Sequence, residues 1–377
     1  MNTLTNLIPS LYAGLDIVSR ELVGFIPAVT RDATADRAAV GQAVRVHAAP
    51  AANVSNIAPA MAIPEPTDQV IGEKSITITK SRSAEFGFVG EEVLGLNNNG
   101  AGFSAVQADM FAQAVRALVN EVESDLAVAA YQGASRAYGT AGTTPFATDT
   151  KDSAQVRKIL DDNGAPLSDR SLILSTSAGA NLRTLLGINA NRPSEDTMTM
   201  RQGSLIDLHG MVISESGQAK THAKGTGASY TTNTAGYAVG ATAITLITGT
   251  GTVLAGDVVT FAGDANKYVV EVGTAAAGVI TLAAPGLRQA IPAAATAVTV
   301  GATYEAGVAF SRNSIILAAR APALPEGGDA AIDRFMMVDP RSGLPLEVSV
   351  YAGFRKLRFD VSVAWGVKAI KSQHNAC

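Results

Sequence analysis

The chain has 377 residues, 47% hydrophobic and 16% charged, with a formal net charge of −4. That length can bury a large core and hold two or three domains. The composition excludes a disordered chain and a global basic field for nucleic acid, and a single cysteine, Cys377, excludes an internal disulfide framework and fits a reducing compartment.

The opening stretch lacks a cationic front and a small-residue cleavage site, so no signal peptide is expected. Pro9 followed by Leu11, Leu15, Val18 and Leu22 predicts a short amphipathic helix over 5–23. Residues 27–75 are rich in Ala, Pro and Asn. Pro50, Pro59, Pro64 and Pro66 argue against regular structure and for an extended arm or loop. Next, SITITK and AEFGFVGEE alternate at period two and read as a β-hairpin, with Glu91 and Glu92 on a solvated face.

The strongest local signal follows. Val106, Met110, Ala114, Leu118, Val122 and Leu126 recur every four residues, and Phe111, Val115 and Val119 widen the stripe. Asp109, Arg116, Glu121, Glu123 and Asp125 fill the other face, Ser104 with Gln107 forms a capping box, and Gly133 is the expected stop. A rod of roughly 40 Å is predicted. Beyond it come a helix ending at Asn163-Gly164, a strand over 171–175, a helix over 177–186 closed by Gly187, and a turn and strand in GSLIDLHGMVIS. From about Glu215 to Phe310 the chain becomes Thr/Gly/Ala/Val with few charges. AVGATAITLI, DVVTFAG, KYVVEV, GVITLA and TAVTVG read as five or six short strands of a small barrel or sandwich inserted in the main domain. Between Glu271 and Glu305 only Arg288 is charged, but Gly, Thr and Pro break the run, so strands are expected and not a membrane span. The tail, NSIILAAR and RFMMVDPRSGLPLEVSVYAGFRKLRFDVSVAWGVKAI, is β-hairpin material with a turn at Ser342-Gly343.

Chemistry-bearing motifs are scarce. Neither Gly-x-Ser-x-Gly nor a P-loop occurs, and Gly249-Thr-Gly251 lacks the third glycine of a dinucleotide fingerprint. His47, His209, His222 and His374 are far apart in sequence, with His209 read as a turn residue and His374 and Cys377 as a frayed tail. Asp161 and Asp162 sit at a helix end, where acids oppose the macrodipole. No catalytic residue, metal site or cofactor is expected, and the chain is not read as an enzyme.

The order of parts is more informative than any motif. The Thr/Gly insert with AGDVVTFAG and GVITLAAPGL, then VAFSRNSIILAARAP and VDPRSGLPLEVSVYAGF, make the whole chain resemble the major capsid (coat) proteins of tailed bacteriophages. The resemblance is to the branch with an inserted β-barrel, like the short-tailed Salmonella phage coat protein. It implies an α+β capsid fold: an N-terminal arm (1–35), an extended loop and hairpin (36–96), a spine helix of a peripheral domain (97–150), an axial domain (151–214), an inserted all-β domain (215–310) and returning strands (311–377). It further implies assembly in a bacterial host cytoplasm into an icosahedral virion head of hexamers and pentamers. Scaffolding, portal and decoration proteins would be its partners, and double-stranded DNA would be packaged without sequence-specific binding. Some family members cross-link Lys to Asn; Lys74 and Lys80 lie in the matching region, without a partner signature. Relatives with a long charged loop in the insert use it to tie capsomers together. Here that step is only Asp264-Ala-Asn266. Intersubunit charge pairs are expected from Glu65, Lys74, Lys80, Arg82 and Glu85. The alternatives are an encapsulin-like nanocompartment shell, a β-rich surface protein and a hydrolase with a dispersed site.

Overall fold

A computed structural model describes residues 22–32, 37–48, 72–98, 103–189 and 207–377, with Ile57, Pro59, Glu65 and Leu205 as isolated positions. The expected helix over 5–23 lies almost wholly outside the described residues, as do Pro50, Pro64 and Pro66.

Helix α1 (Phe25–Ala28) and strand β1 (Thr30–Asp32) lead to β2 (Ala43–Ala48), β3 (Gly72–Thr77), β4 (Lys80–Val89) and α2 (Gly90–Asn98). The long helix α3 (Phe103–Gln132) has 30 residues, about 45 Å at the standard rise. Its predicted stripe is the buried one from Phe111 to Leu126. Ser104 lies inside the first turn, so it does not cap the helix. Gly133 ends it as expected: a Cβ there would overlap the Ala369 side chain.

The helix lies on a six-stranded sheet of β1, β4, β17 (Ile315–Arg320), β18 (Ala331–Val338), β19 (Pro345–Gly353) and β20 (Lys356–Ala369). Strand β20 is the spine of this sheet. One of its edges carries β4 along 356–365; the other carries β19 along 356–362 and then β17 along 364–369. Phe86, Phe111 and Phe359 pack edge-to-face or stacked at 4.7–5.4 Å between sheet and helix. Trp365 is fully buried, and its indole N–H donates to Asp125 Oδ2 at 2.9 Å.

The expected hairpin of SITITK with AEFGFVGEE does not form. Strand β4 pairs with β20, and β3 pairs antiparallel with β2 from Ala43↔Thr77 to Ala48↔Gly72. Residues 43–48 are therefore a strand, although the proline-rich composition around them suggested none. Alternation gives the strands but not their partners, and here the better-covered partner of β4 lies some 270 residues away.

The second sheet is continuous from body to insert. Its order is β11-β14-β9-β10-β13-β12-β5-β21-β16-β6-β7, and a further β11–β12 pairing closes its first six strands into a barrel. These six are β9 (Ala228–Thr232), β10 (Ala243–Thr250), β11 (Val258–Phe261), β12 (Lys267–Val272), β13 (Val279–Leu282) and β14 (Ala297–Val300). The ring lies within the 215–310 stretch, and a ring of this size is filled by its own side chains, among them Tyr230, Ile244, Phe261, Tyr268 and Ile280. Closure also removes sheet edges. In the body the sheet runs through β5 (Arg136–Ala137), β21 (Asn375–Ala376), β16 (Val308–Ser311), β6 (Arg170–Ser175) and β7 (Val212–Ser216), covered by α4 (Lys151–Asp162) and α5 (Thr176–Asn189). Helix α5 continues past Gly187, where a stop was expected. A short neck, β8 (Thr221–His222) with β15 (Tyr304–Glu305), brings the barrel's two connections together.

The tail is not frayed. Strand β21 lies between β5 and β16, and Asn375, Ala376 and Cys377 are buried. His374 is in a turn whose burial, reinforced by Lys371 and Arg170, lowers its pKa.

Candidate functional site

Among the described residues the β2–β3 ladder joins no other sheet. Among its described side chains only Ile76 is buried, packed with Ile78, Ile316, Ala318, Ala364 and Ile370 at its root. There Ile78 exchanges backbone hydrogen bonds with Gly41 and Gln42, and Lys368 donates to the Ser75 carbonyl at 3.0 Å. The outer residues Gly72, Glu73 and Lys74 are exposed. An isolated two-stranded ribbon is marginal in water, so this one gains by lying against another surface.

Four of the five residues expected to make intersubunit pairs, Lys74 on β3 and Lys80, Arg82 and Glu85 on β4, meet partners in their own chain. Lys80 Nζ donates to Asp125 Oδ1 at 2.9 Å and Glu121 Oε1 at 3.1 Å, and lies 5.8 Å from the Trp365 ring centre. Burial pulls its pKa down, but the hydrogen bonds to Asp125 and Glu121 prevail and raise it. Arg82 reaches Glu121 at 3.4 Å, Glu85 pairs with Arg358 across the β4–β20 ladder, and Lys74 donates to the Ile370 carbonyl. Glu65 is exposed. The structure thus gathers Lys80 and Arg82 on the helix carboxylates and leaves the others apart.

Sequence reasoning placed Glu123 on the wet face of the long helix; it is wholly buried. Its carboxylate accepts from the backbone N–H groups of Gly24 (2.6 Å), Phe25 (2.7 Å) and Ile26 (2.9 Å) and from Ser216 Oγ (2.8 Å). It ties the first described segment to the helix and to β7. Asp161 and Asp162 are explained by arginines, not by the helix end. Asp161 takes Arg170 Nη1 at 2.6 Å, chiefly this bond holding its carboxyl below the usual range, and Asp162 takes Arg136 Nη2 at 3.2 Å. Arg136 also donates to Asn266 Oδ1 at 3.1 Å, so the short step in the insert binds barrel to body.

A cavity of about 620 Å³ opens between barrel and body, lined among others by Phe146, Val156, Leu172, Val258, Tyr304 and Cys377. Burial pushes the Tyr304 phenol upward and the Cys377 thiol up to about 12. Both are protonated at neutral pH and supply neither base nor thiolate. Ser153 and His209 form a 2.9 Å pair, but the serine is fully buried and its hydroxyl also meets the Thr150 carbonyl at 2.9 Å. His209 takes φ 52°, in keeping with the expected turn role. His222 Nε2 lies 2.8 Å from Asp257 Oδ1, between the Tyr131 and Tyr304 rings, where the neck meets the long helix. Among the described residues no group of three or more His, Cys, Asp or Glu could hold a metal, and no helix is long and apolar enough to cross a membrane.

No family model matches the chain, and no curated protein does. Among solved structures the chain is similar to one from Mycobacterium phage Che8, with 11% identity over 95% of this chain and 92% of that one and a TM-score of 0.47. It is similar to the capsid structure of the cyanophage P-SCSP1u, with 11% identity over 95% and 88% and a TM-score of 0.49. It is also similar to a virus-like particle from Pyrococcus furiosus, with 10% identity over 100% and 99% and a TM-score of 0.44.

Proposed function

We propose that this chain is a major coat protein of the tailed-phage kind, whose copies close into an icosahedral container for double-stranded DNA. The observation that carries the reading is the β2–β3 ribbon, rooted on the main sheet through Ile76, Val44 and two lysine contacts, with Gly72, Glu73, Lys74, Ser75 and Thr77 exposed. Such a ribbon is completed by a neighbour's surface, and head-to-tail contacts of this type close into rings when the rotation allows. Individually weak contacts suffice because many act together.

Charge bears on the route. A coat that condenses directly on nucleic acid needs cations to offset phosphate, and this chain carries a net −4. An empty precursor shell, built with a scaffolding protein, then filled through a portal and expanded, fits that balance. The long helix and the ribbon would act as rod and hinge in the expansion. Glu65 remains a proposed intersubunit contact. Lys74, Lys80, Arg82 and Glu85 would join it only by exchanging their present partners.

The test is assembly. The purified chain, alone and co-expressed with a scaffolding protein, is sedimented and imaged by electron microscopy. Closed shells of uniform size are expected. A lone chain under every condition would overturn the reading.

A further inference from the structure

We propose that β18 pairs antiparallel with β18 of a second copy of this chain, about a two-fold axis at Met336, so that the six-stranded sheets of two copies run on as one. Why copies meet rests on the coat reading above; where they meet rests on the strand itself. Among the described residues β18 ends its sheet, with β19 as its strand neighbour. Asp339 N–H donates to the Leu344 carbonyl at 3.0 Å, so that pair is a hydrogen-bonded one. Bonded and non-bonded pairs alternate along an antiparallel ladder. Val338↔Pro345, Met336↔Glu347 and Arg334↔Ser349 are therefore non-bonded pairs, in keeping with a proline at 345. The backbone groups of Arg334, Met336 and Val338 point away from β19, along the open edge.

Natural sheets blunt such an edge with lysine, proline or a bulge. The bulge here lies between Ala331 and Asp333, and beyond it neither lysine nor proline interrupts 334–338. Arg334 is turned back onto Asp329, Glu347 and Ser349 Oγ of its own chain. Met336 and Val338 are 44% and 58% exposed. The edge is open in its backbone and apolar in its side chains, the form that takes on another strand.

The sequence selects which strand. With the axis at Met336, the two Met336 residues exchange both hydrogen bonds. Each Val338 N–H donates to the facing Arg334 carbonyl, while Asp333 Oδ1 keeps the Arg334 N–H at 2.8 Å. Val338 then lies on the Arg334 stem, and Phe335 opposes Met337, a sulfur–ring pair repeated on both sides of the axis. No like charges face each other. An axis at Arg334 would oppose two arginines, and one at Phe335 would set Val338 against the bulge. An axis at Met337 or Val338 would carry the partner onto Asp339-Pro340 in the turn. The strand is thus complementary to itself about one residue, which selects a second copy as its occupant and closes the contact.

A residue on the axis faces its own copy, so one substitution tests the pairing. Cys377 is buried, so an added surface thiol reports alone. Opposed Cα atoms of a bonded pair lie about 5.5 Å apart, within disulfide reach. Chains carrying Met336→Cys are oxidised as free protein and in particles, beside chains carrying Phe354→Cys at the exposed β19–β20 turn. A dimer linked through position 336, and none through 354, is expected. Met336→Lys and Met336→Glu set like charges across the axis. Each should keep the parental melting temperature of the free chain and weaken dimerisation about tenfold, read by sedimentation. An equal mixture of the two should recover it. Particles that form without the 336 cross-link would overturn this contact and leave the coat reading standing; 336-linked dimers that never build particles would do the reverse. Equal linkage through 354, or Lys and Glu chains that do not rescue each other, would also overturn it, the latter pointing to another segment or a foreign strand on this edge.

Discussion

Two carboxylates two positions apart on one helix differ sharply in what they hold. Glu121 shares Lys80 and Arg82 at a half-exposed surface, where pairs are worth at most about 1 kcal/mol. Glu123, wholly buried, is the common acceptor of three backbone N–H groups and a serine hydroxyl. Removing it strands donors that each cost about 1–3 kcal/mol when buried without a partner. Glu123→Ala should therefore lower stability by about 3 kcal/mol or more, and Glu121→Ala by about 1 kcal/mol or less. Urea unfolding that shifts in midpoint with an unchanged slope would read the difference. Equal losses for the two would show that residues 24–26 do not depend on this carboxylate. The sequence holds part of the difference: Glu123 continues at period four the row of Phe111, Val115 and Val119, whereas Glu121 does not. The rest was not legible, because its three backbone donors come from a segment nearly 100 residues earlier and its serine donor from one more than 90 residues later.

Elements were legible where their signal is local. The four-residue period of the long helix and the five strands quoted for the insert all appear, because a helix face and an alternating strand are written within a dozen residues. Pairing was not legible, since it depends on what lies across the sheet. The same limit hid the buried tail strand, whose two residues gain their place only between β5 and β16. For the ribbon, what matters is its root. Gly366 on β20 has no side chain, and a Cβ there would overlap the Thr77 carbonyl oxygen at the end of β3. Gly366→Ala must push residues 77–78 off β20 or bend β20 itself, and overpacking of this kind costs about 1–3 kcal/mol. The chain should still fold, with the ribbon released. On the proposed coat reading, the expected result is a soluble product that loses assembly, read by sedimentation, with faster amide exchange at Ile76 and Ile78. Assembly at the parental level would mean that the root does not set the ribbon's direction.

At the scale of the whole molecule the question is whether the barrel is a bead on a string or part of the frame. Its closed ring and its own core favour a bead, and the composition shift at about Glu215 gives the same impression in sequence. Three observations favour the frame. Strand β12 pairs with β5 through Lys267↔Ala137 and Tyr268↔Arg136, which makes one continuous sheet. Val269, on β12, is buried in the main core under the long helix. The His222–Asp257 pair and the rings of Tyr131 and Tyr304 fill the junction. Unfolding the barrel alone would uncover β5, empty a position in the main core and expose a buried ionisable pair, each a cost that the body avoids by unfolding with it. The intact chain should therefore melt in a single calorimetric transition whose van't Hoff and calorimetric enthalpies agree. Two separable transitions would mark the barrel as autonomous. A single transition would mean that a load on the barrel, such as the proposed shell would impose, is transmitted to the long helix through β12 and β5, not absorbed in a flexible neck.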